Sequence, residues 1–223
     1  MPVTNHKTRL SAATLLAMLL GSYLYAAPLN AAEFRDISKI NGGIRIAAEE
    51  RVGDLSSING GISLAQGAKA YDVGTVNGGI VLDDRSSVGD ADTVNGGIRV
   101  GEDVMVSGSL SSVNGRIRTE AGTVVENSVS TVNGTIQLRN TRVGEDVETT
   151  RGDIEISDGS TIEGDVVVKG TNSWWTRIFR FTNKPSELTI DASSVVLGDI
   201  HLHRPVNLHI DADAQVGDII EHF

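Results

Sequence analysis

From residue 38 onward the apolar residues recur in a fixed order at strand spacing. Bulky aliphatics come two apart: Ile44 and Ile46, Ile62 and Leu64, Ile80 and Leu82, Ile98 and Val100, Ile136 and Leu138, Ile154 and Ile156. Residues two apart on a strand point the same way, so each pair marks one short strand with a buried side. Ile117 has Thr119 as a weaker partner. A second apolar position recurs at Val52, Val88, Val106, Val125, Val143 and Ile162, and a third at Leu55, Val73, Ala91, Leu110, Val129, Val147 and Val166. The residue before each asparagine of the repeated word below gives a fourth: Ile58, Val76, Val94, Val113 and Val132. No stretch after residue 38 has the helical period needed to cover a sheet.

Between these positions one word is written six times: KINGGIRI, SINGGISL, TVNGGIVL, TVNGGIRV, SVNGRIRT and TVNGTIQL. Asn-Gly between apolar residues is a strong hairpin signal. Its asparagines, however, are Asn41, Asn59, Asn77, Asn95, Asn114 and Asn133, at steps of 18 or 19. TTRGDIEI places Arg151 a further 18 on, and VVLGDIHL and QVGDIIEH continue the style. Self-similarity at a fixed period signals stacked repeats, each stabilised only by its neighbours. The pattern predicts an all-β chain wound as a single-stranded right-handed β-helix of about nine coils, a rod roughly 40 Å long at ~4.8 Å per coil. A left-handed β-helix is the alternative, because from Ile46 to Val106 every sixth residue is small or aliphatic. Each Asn-Gly is then a corner of one coil. Stacked asparagines pass amide hydrogen bonds from coil to coil, and the following glycine eases the bend.

The first 32 residues follow different rules. Lys7 and Arg9 precede an apolar run from Leu10 to Ala27, and small residues follow. This basic, apolar, small-residue order is that of a secretory signal peptide over residues 1–32. It predicts export to the periplasm or outside, with a mature N-terminus at Ala32 or Glu33 that mass spectrometry would read directly. An uncleaved membrane anchor is the competing reading. The remaining domain, 33–223, has 17 Lys+Arg against 29 Asp+Glu, a formal charge of −12, since the leader contains two cations and no acid. Such an acidic chain is a poor match for nucleic acid. With no cysteine it makes neither disulfides nor thiolate sites, and at 4 % aromatics its core is aliphatic.

Candidate chemistry is sparse. Asp54, Asp72 and Asp90 hold the same place in three coils. Like charges so stacked either splay into water or hold a cation such as calcium. His201 and His203 share one face of a strand and, with His209, Asp211 or Asp213, are a weak transition-metal candidate. RGD at Arg151–Asp153 is accounted for by the repeat, with Arg151 in the asparagine's place. The repeat is interrupted at residues 169–188, which hold Trp174, Trp175, Arg177 and Arg180 in an otherwise acidic, aromatic-poor chain. An aromatic, basic segment suits contact with a membrane surface or a partner, or it folds back as a cap.

STIEGDVVVKG and SSVVLGDIHLHRPVNLHIDADAQVGDI resemble bactofilins, and the TVNGGI coils are similar to a bacterial adhesin-type β-solenoid family. The resemblance spans roughly residues 38–220. It implies right-handed β-helical coils and a polymer-forming or surface-contact role. Bactofilins are typically cytoplasmic, whereas the opening of this chain predicts export, so the role expected here lies outside the cytoplasm. The expectation is a non-catalytic exported scaffold or adhesin-like protein that requires no cofactor and acts through self-association or surface contact. A cation- or ligand-binding envelope protein is the alternative, and a carbohydrate-active β-helix enzyme comes third.

Overall fold

A computed structural model of the chain describes residues 34–170 and 185–223. Residues 1–32, which the sequence reads as a signal peptide, and the tryptophan segment, including Trp174, Trp175, Arg177 and Arg180, lie outside the described residues. Residues 34–223 form one compact unit. Among the described residues it is all β: a parallel β-solenoid of about nine turns, with no helix.

Three sheets run along the solenoid, and all their pairings are parallel. Sheet 1 has ten strands, from Ile37–Asn41 to Ile219–Glu221; sheet 2 has nine, from Ile44–Ile46 to Val206–Ile210; sheet 3 has six, from Ser87–Val88 to Val195–Val196. Isolated bridges Arg51↔Lys69, Lys69↔Ser87 and Val195↔Gln215 carry sheet 3 further in both directions. The register along sheet 1 runs Ile37, Leu55, Val73, Ala91, Leu110, Val129, Val147, Val166, in steps of 18 or 19. The next step, Val166↔Ile200, is 34 residues, because the chain leaves sheet 1 after Val168 and enters sheet 2 at Ser186. The interruption therefore ends before residue 186, not at 188: Ser186 and Leu188 are buried strand residues.

The paired aliphatics fill the interior. Ile62, Leu64, Ile80, Leu82, Ile136 and Leu138 of sheet 2 are each at most 1 % exposed. The second and third apolar positions line sheets 3 and 1 from inside. The fourth does not. A strand with Leu55 inward must turn residue 57 inward and residue 58 outward, and Ser57 is buried while Ile58 faces out. Ile58, Val76, Val94, Val113 and Val132 thus lie on the outer face of sheet 1. The sixfold grid fails there, since Ile58, Val76 and Val94 are its members. The inward place belongs to Ser57, Thr75, Thr93, Ser112 and Thr131, whose hydroxyls donate to glycine carbonyls of the coil before, as Thr75 Oγ1 does to Gly60 O at 2.8 Å. Thr119 also points inward, and its hydroxyl meets that of Thr141 at 2.7 Å. Each buried hydroxyl so paired avoids the cost of an unmade hydrogen bond.

The corner between sheets 2 and 3 is turned in the same way in seven successive coils. Glu49, Gly67, Arg85, Asp103, Gly122, Asn140 and Asp158 all have φ between 41° and 76°. Glycine reaches this left-handed region freely, and the other five accept a backbone cost to keep the coil in register.

Candidate functional site

Two columns of polar side chains run along the solenoid at the ends of sheet 1. In the first, Asn59 Nδ2 donates to Asn41 Oδ1 at 3.1 Å. Asn77, Asn95, Asn114 and Asn133 repeat the bond upward at 2.9–3.0 Å. The column ends at Arg151, which pairs with Asn133 in register. Each inner asparagine both donates and accepts, so one substitution breaks two bonds. Asn95→Ala is expected to cost about 1–2 kcal/mol, at roughly 1 kcal/mol per net hydrogen bond, read as a lower midpoint in urea.

The second column stands where sheet 3 hands over to sheet 1. Asp54 N–H donates to Asp36 Oδ1, Asp72 N–H to Asp54 Oδ1 at 3.3 Å and Asp90 N–H to Asp72 Oδ1 at 3.0 Å. Ser109 N–H donates to Asp90 Oδ1 at 2.6 Å. The ladder resumes at Asp146, Asp165, Asp199 and Asp218. Asp54, Asp72 and Asp90 therefore spend one carboxylate oxygen on the backbone of the next coil. Burial pushes the Asp54 carboxyl up, and the charges of Asp72 and Asp36 add to this. Among the described residues no group of three or more His, Asp or Glu is arranged to hold a metal ion.

The histidines divide. His201 lies on sheet 1 and His203 just past the end of its strand, whereas His209 pairs with Thr189 on sheet 2. The structure does not bring His209 to the pair; it brings His222. His201 Nδ1 and His222 Nε2 are 3.0 Å apart, and the His203 and His222 rings stack at 4.3 Å and 11°. His201 Nε2 lies 3.6 Å from Asp165 Oδ2. Burial, then His222, His201 and Lys169, holds His203 below the usual imidazole range. The sequence carried the signal for this cluster, because His222 follows His203 by one 19-residue coil.

Arg151–Asp153 is built into the coils: Asp153 Oδ1 accepts the Glu187 N–H at 2.9 Å. Outside sheet 2, the second glycines of the repeat leave a shallow depression of about 330 Å³ over Gly43, Gly61 and Gly79, bounded by Arg45, Ser63 and Val81.

One carboxyl on sheet 1 stands apart. Asp92 faces outward between Gly74 and Ser111. Burial, then the charge of Asp90, pushes its carboxyl up to about 6, with Asp72 adding a smaller push and a hydrogen bond from Ser111 opposing. A pKa raised on folding means that the native state binds the proton more tightly. Stability from this group is complete below the unfolded value of 3.8 and is lost as pH rises through about 6. Asp92→Asn is expected to abolish that decline and to stabilise the protein by about 1–2 kcal/mol at pH 8, at 1.36 kcal/mol per pKa unit less solvent screening. Urea unfolding at pH 4.5 and pH 8 checks it; a variant with the wild-type pH profile would contradict it.

No family model, curated protein or solved structure matches this chain.

Proposed function

We propose that the chain is an exported, non-catalytic scaffold or adhesin-like rod that works by self-association or surface contact. One observation carries this reading. The side chains that resemble chemistry, the Asn column and the Asp column, are spent on holding coil to coil. What the rod offers a partner is repeated surface, not a reactive cluster. Export rests on the basic-apolar-small order of residues 1–32, and the resemblance to bactofilins and adhesin-type solenoids supports the scaffold role. The same resemblance favours right-handed coils, as does the failure of the sixfold grid at Ile58, Val76 and Val94; an experimental density map decides the hand.

The tryptophan segment is the proposed contact element. In the chain it lies between the sheet 1 strand Val166–Val168 and the sheet 2 strand Ser186–Ile190. Sedimentation across concentration and binding to anionic and zwitterionic vesicles test the function. The wild type is expected to associate with itself or with vesicles, and Trp174→Ala with Trp175→Ala to weaken this while circular dichroism stays native. A protein that stays monomeric and binds neither vesicle would refute the proposal.

A further inference from the structure

The outer face of sheet 1 changes character along the rod. Over its first six coils it presents three rows. The first is Ser38, Ser56, Gly74, Asp92, Ser111 and Ser130; the second is Ile40, Ile58, Val76, Val94, Val113 and Val132; the third, exposed at the corner where the strands end, is the asparagine column. Asp92 is the only ionisable residue in these rows, in a chain that is 22 % charged with a formal charge of −10. From the seventh coil the same rows carry Glu148 and Arg151, then Lys169 and the histidine cluster.

The polar atoms of the neutral stretch bond to one another. The asparagine amides run in an unbroken chain from Asn41 to Asn133. Ser56 Oγ donates to Ser38 Oγ at 2.7 Å, and Ser130 Oγ to Ser111 Oγ at 3.3 Å. Covering a polar group is costly when it loses water without gaining a partner. Here the lateral bonds survive when the face is covered, and the aliphatic row gains from it. Ile40 is 68 % exposed and Val132 41 %.

We infer that this neutral face is where two copies of the chain pack together, sheet on sheet and with their rods antiparallel. The occupant follows from charge. A second copy is strongly acidic, so most of its surface repels the first; its own neutral face does not, apart from Asp54, Asp72 and Asp90 along one edge, each with one carboxylate oxygen already bonded to the next coil. The direction follows from where the face becomes charged. In an antiparallel pair centred between Val76 and Val94, Ile58 faces the partner's Val113 and Ile40 faces the partner's Val132. The charged coils from Glu148 onward then project past the partner's end. A parallel pair would set Glu148 against Glu148 and the histidines against each other. Two Asp92 carboxyls lie next to the centre of the antiparallel pair, so their ionisation opposes it. Asp90 and Asp72 are the charges acting on Asp92, and Ser111 is its hydrogen-bond donor. Six coils at ~4.8 Å and a five-residue strand give a face of about 400–500 Å² per copy. That is at the low end for a specific interface, so the pair is weak and reversible.

This inference rests on the self-association arm of the proposed function. Sedimentation equilibrium of the purified protein tests it, with circular dichroism as the check of fold. The wild type is expected to move from monomer to dimer as concentration rises, and more readily at pH 5 than at pH 8. Val94→Arg should weaken dimerisation at least tenfold, and Val76→Lys serves if that variant does not fold. Val81→Lys, outward on sheet 2, should leave it unchanged. Asp92→Asn should tighten the pair at pH 8 and remove the pH dependence. Dimers that persist in folded Val94→Arg and Val76→Lys would overturn the neutral face and leave self-association standing. A wild type that stays monomeric but binds vesicles overturns the inference alone; one that does neither overturns the proposed function too.

Discussion

An alanine at position 115 is expected to cost the solenoid about 3 kcal/mol, the upper end for forcing extra atoms into a close-packed site. A Cβ there would lie 1.8 Å from Gly96 O and 2.4 Å from its carbonyl carbon. Both atoms are backbone, held in place by the ladders on either side, so the strain lifts one coil from the next. The site is mid-rod, and a lifted coil weakens both of its neighbour interfaces. Position 79 gives the contrast. It is the second glycine of the repeat, and a Cβ there would meet only Gly97 O, at 3.1 Å. Later coils place Arg116 and Thr135 in the equivalent position. Gly79→Ala should therefore cost under about 1 kcal/mol, within the range of mild substitutions. Urea unfolding of the two variants side by side checks the difference. Equal losses would mean that the first glycine is not fixed by the coil below it.

Leu138→Ala is expected to cost 2–5 kcal/mol, the usual range for emptying a buried leucine site. Leu138 is fully buried, stacked in register beneath Ile156. The cavity cannot close, because the sheet bonds to the next coil and the Asn133–Asn114 bond to the previous one fix the coil spacing. Val132→Ala, one coil-face away on the outside, should change stability by no more than about 0.5 kcal/mol, as for surface positions generally. Thermal melts of both variants would test this; a Leu138 variant that melts like the wild type would contradict the packing.

The solenoid was legible in the sequence because its period is covalent. Asn41 to Asn133 recur at coil length, and the aliphatic pairs at Ile62 and Leu64 or Ile136 and Leu138 show a strand with one buried side. Stacking such units is the only way those sides leave water. Parity within the five-residue strands was also present but had to be applied across a gap. With Leu55 inward, Ile58 cannot be, yet its hydrophobicity suggested burial and the small polar Ser57 did not. Tertiary structure decided that point, because an interior position next to a glycine carbonyl of the coil below favours a hydroxyl over a methyl. It also decided the aspartates. The sequence aligned Asp54, Asp72 and Asp90 and left repulsion or a cation as the choices; only the corner geometry brings the next coil's N–H to each carboxylate. The meeting of His203 with His222 follows from one 19-residue step. Its ring stacking, like the neutral outer face of sheet 1, exists only once the coils are in register. Period alone therefore fixes which residues share a column. Which way each column faces, and what its polar atoms find there, depends on the coil below.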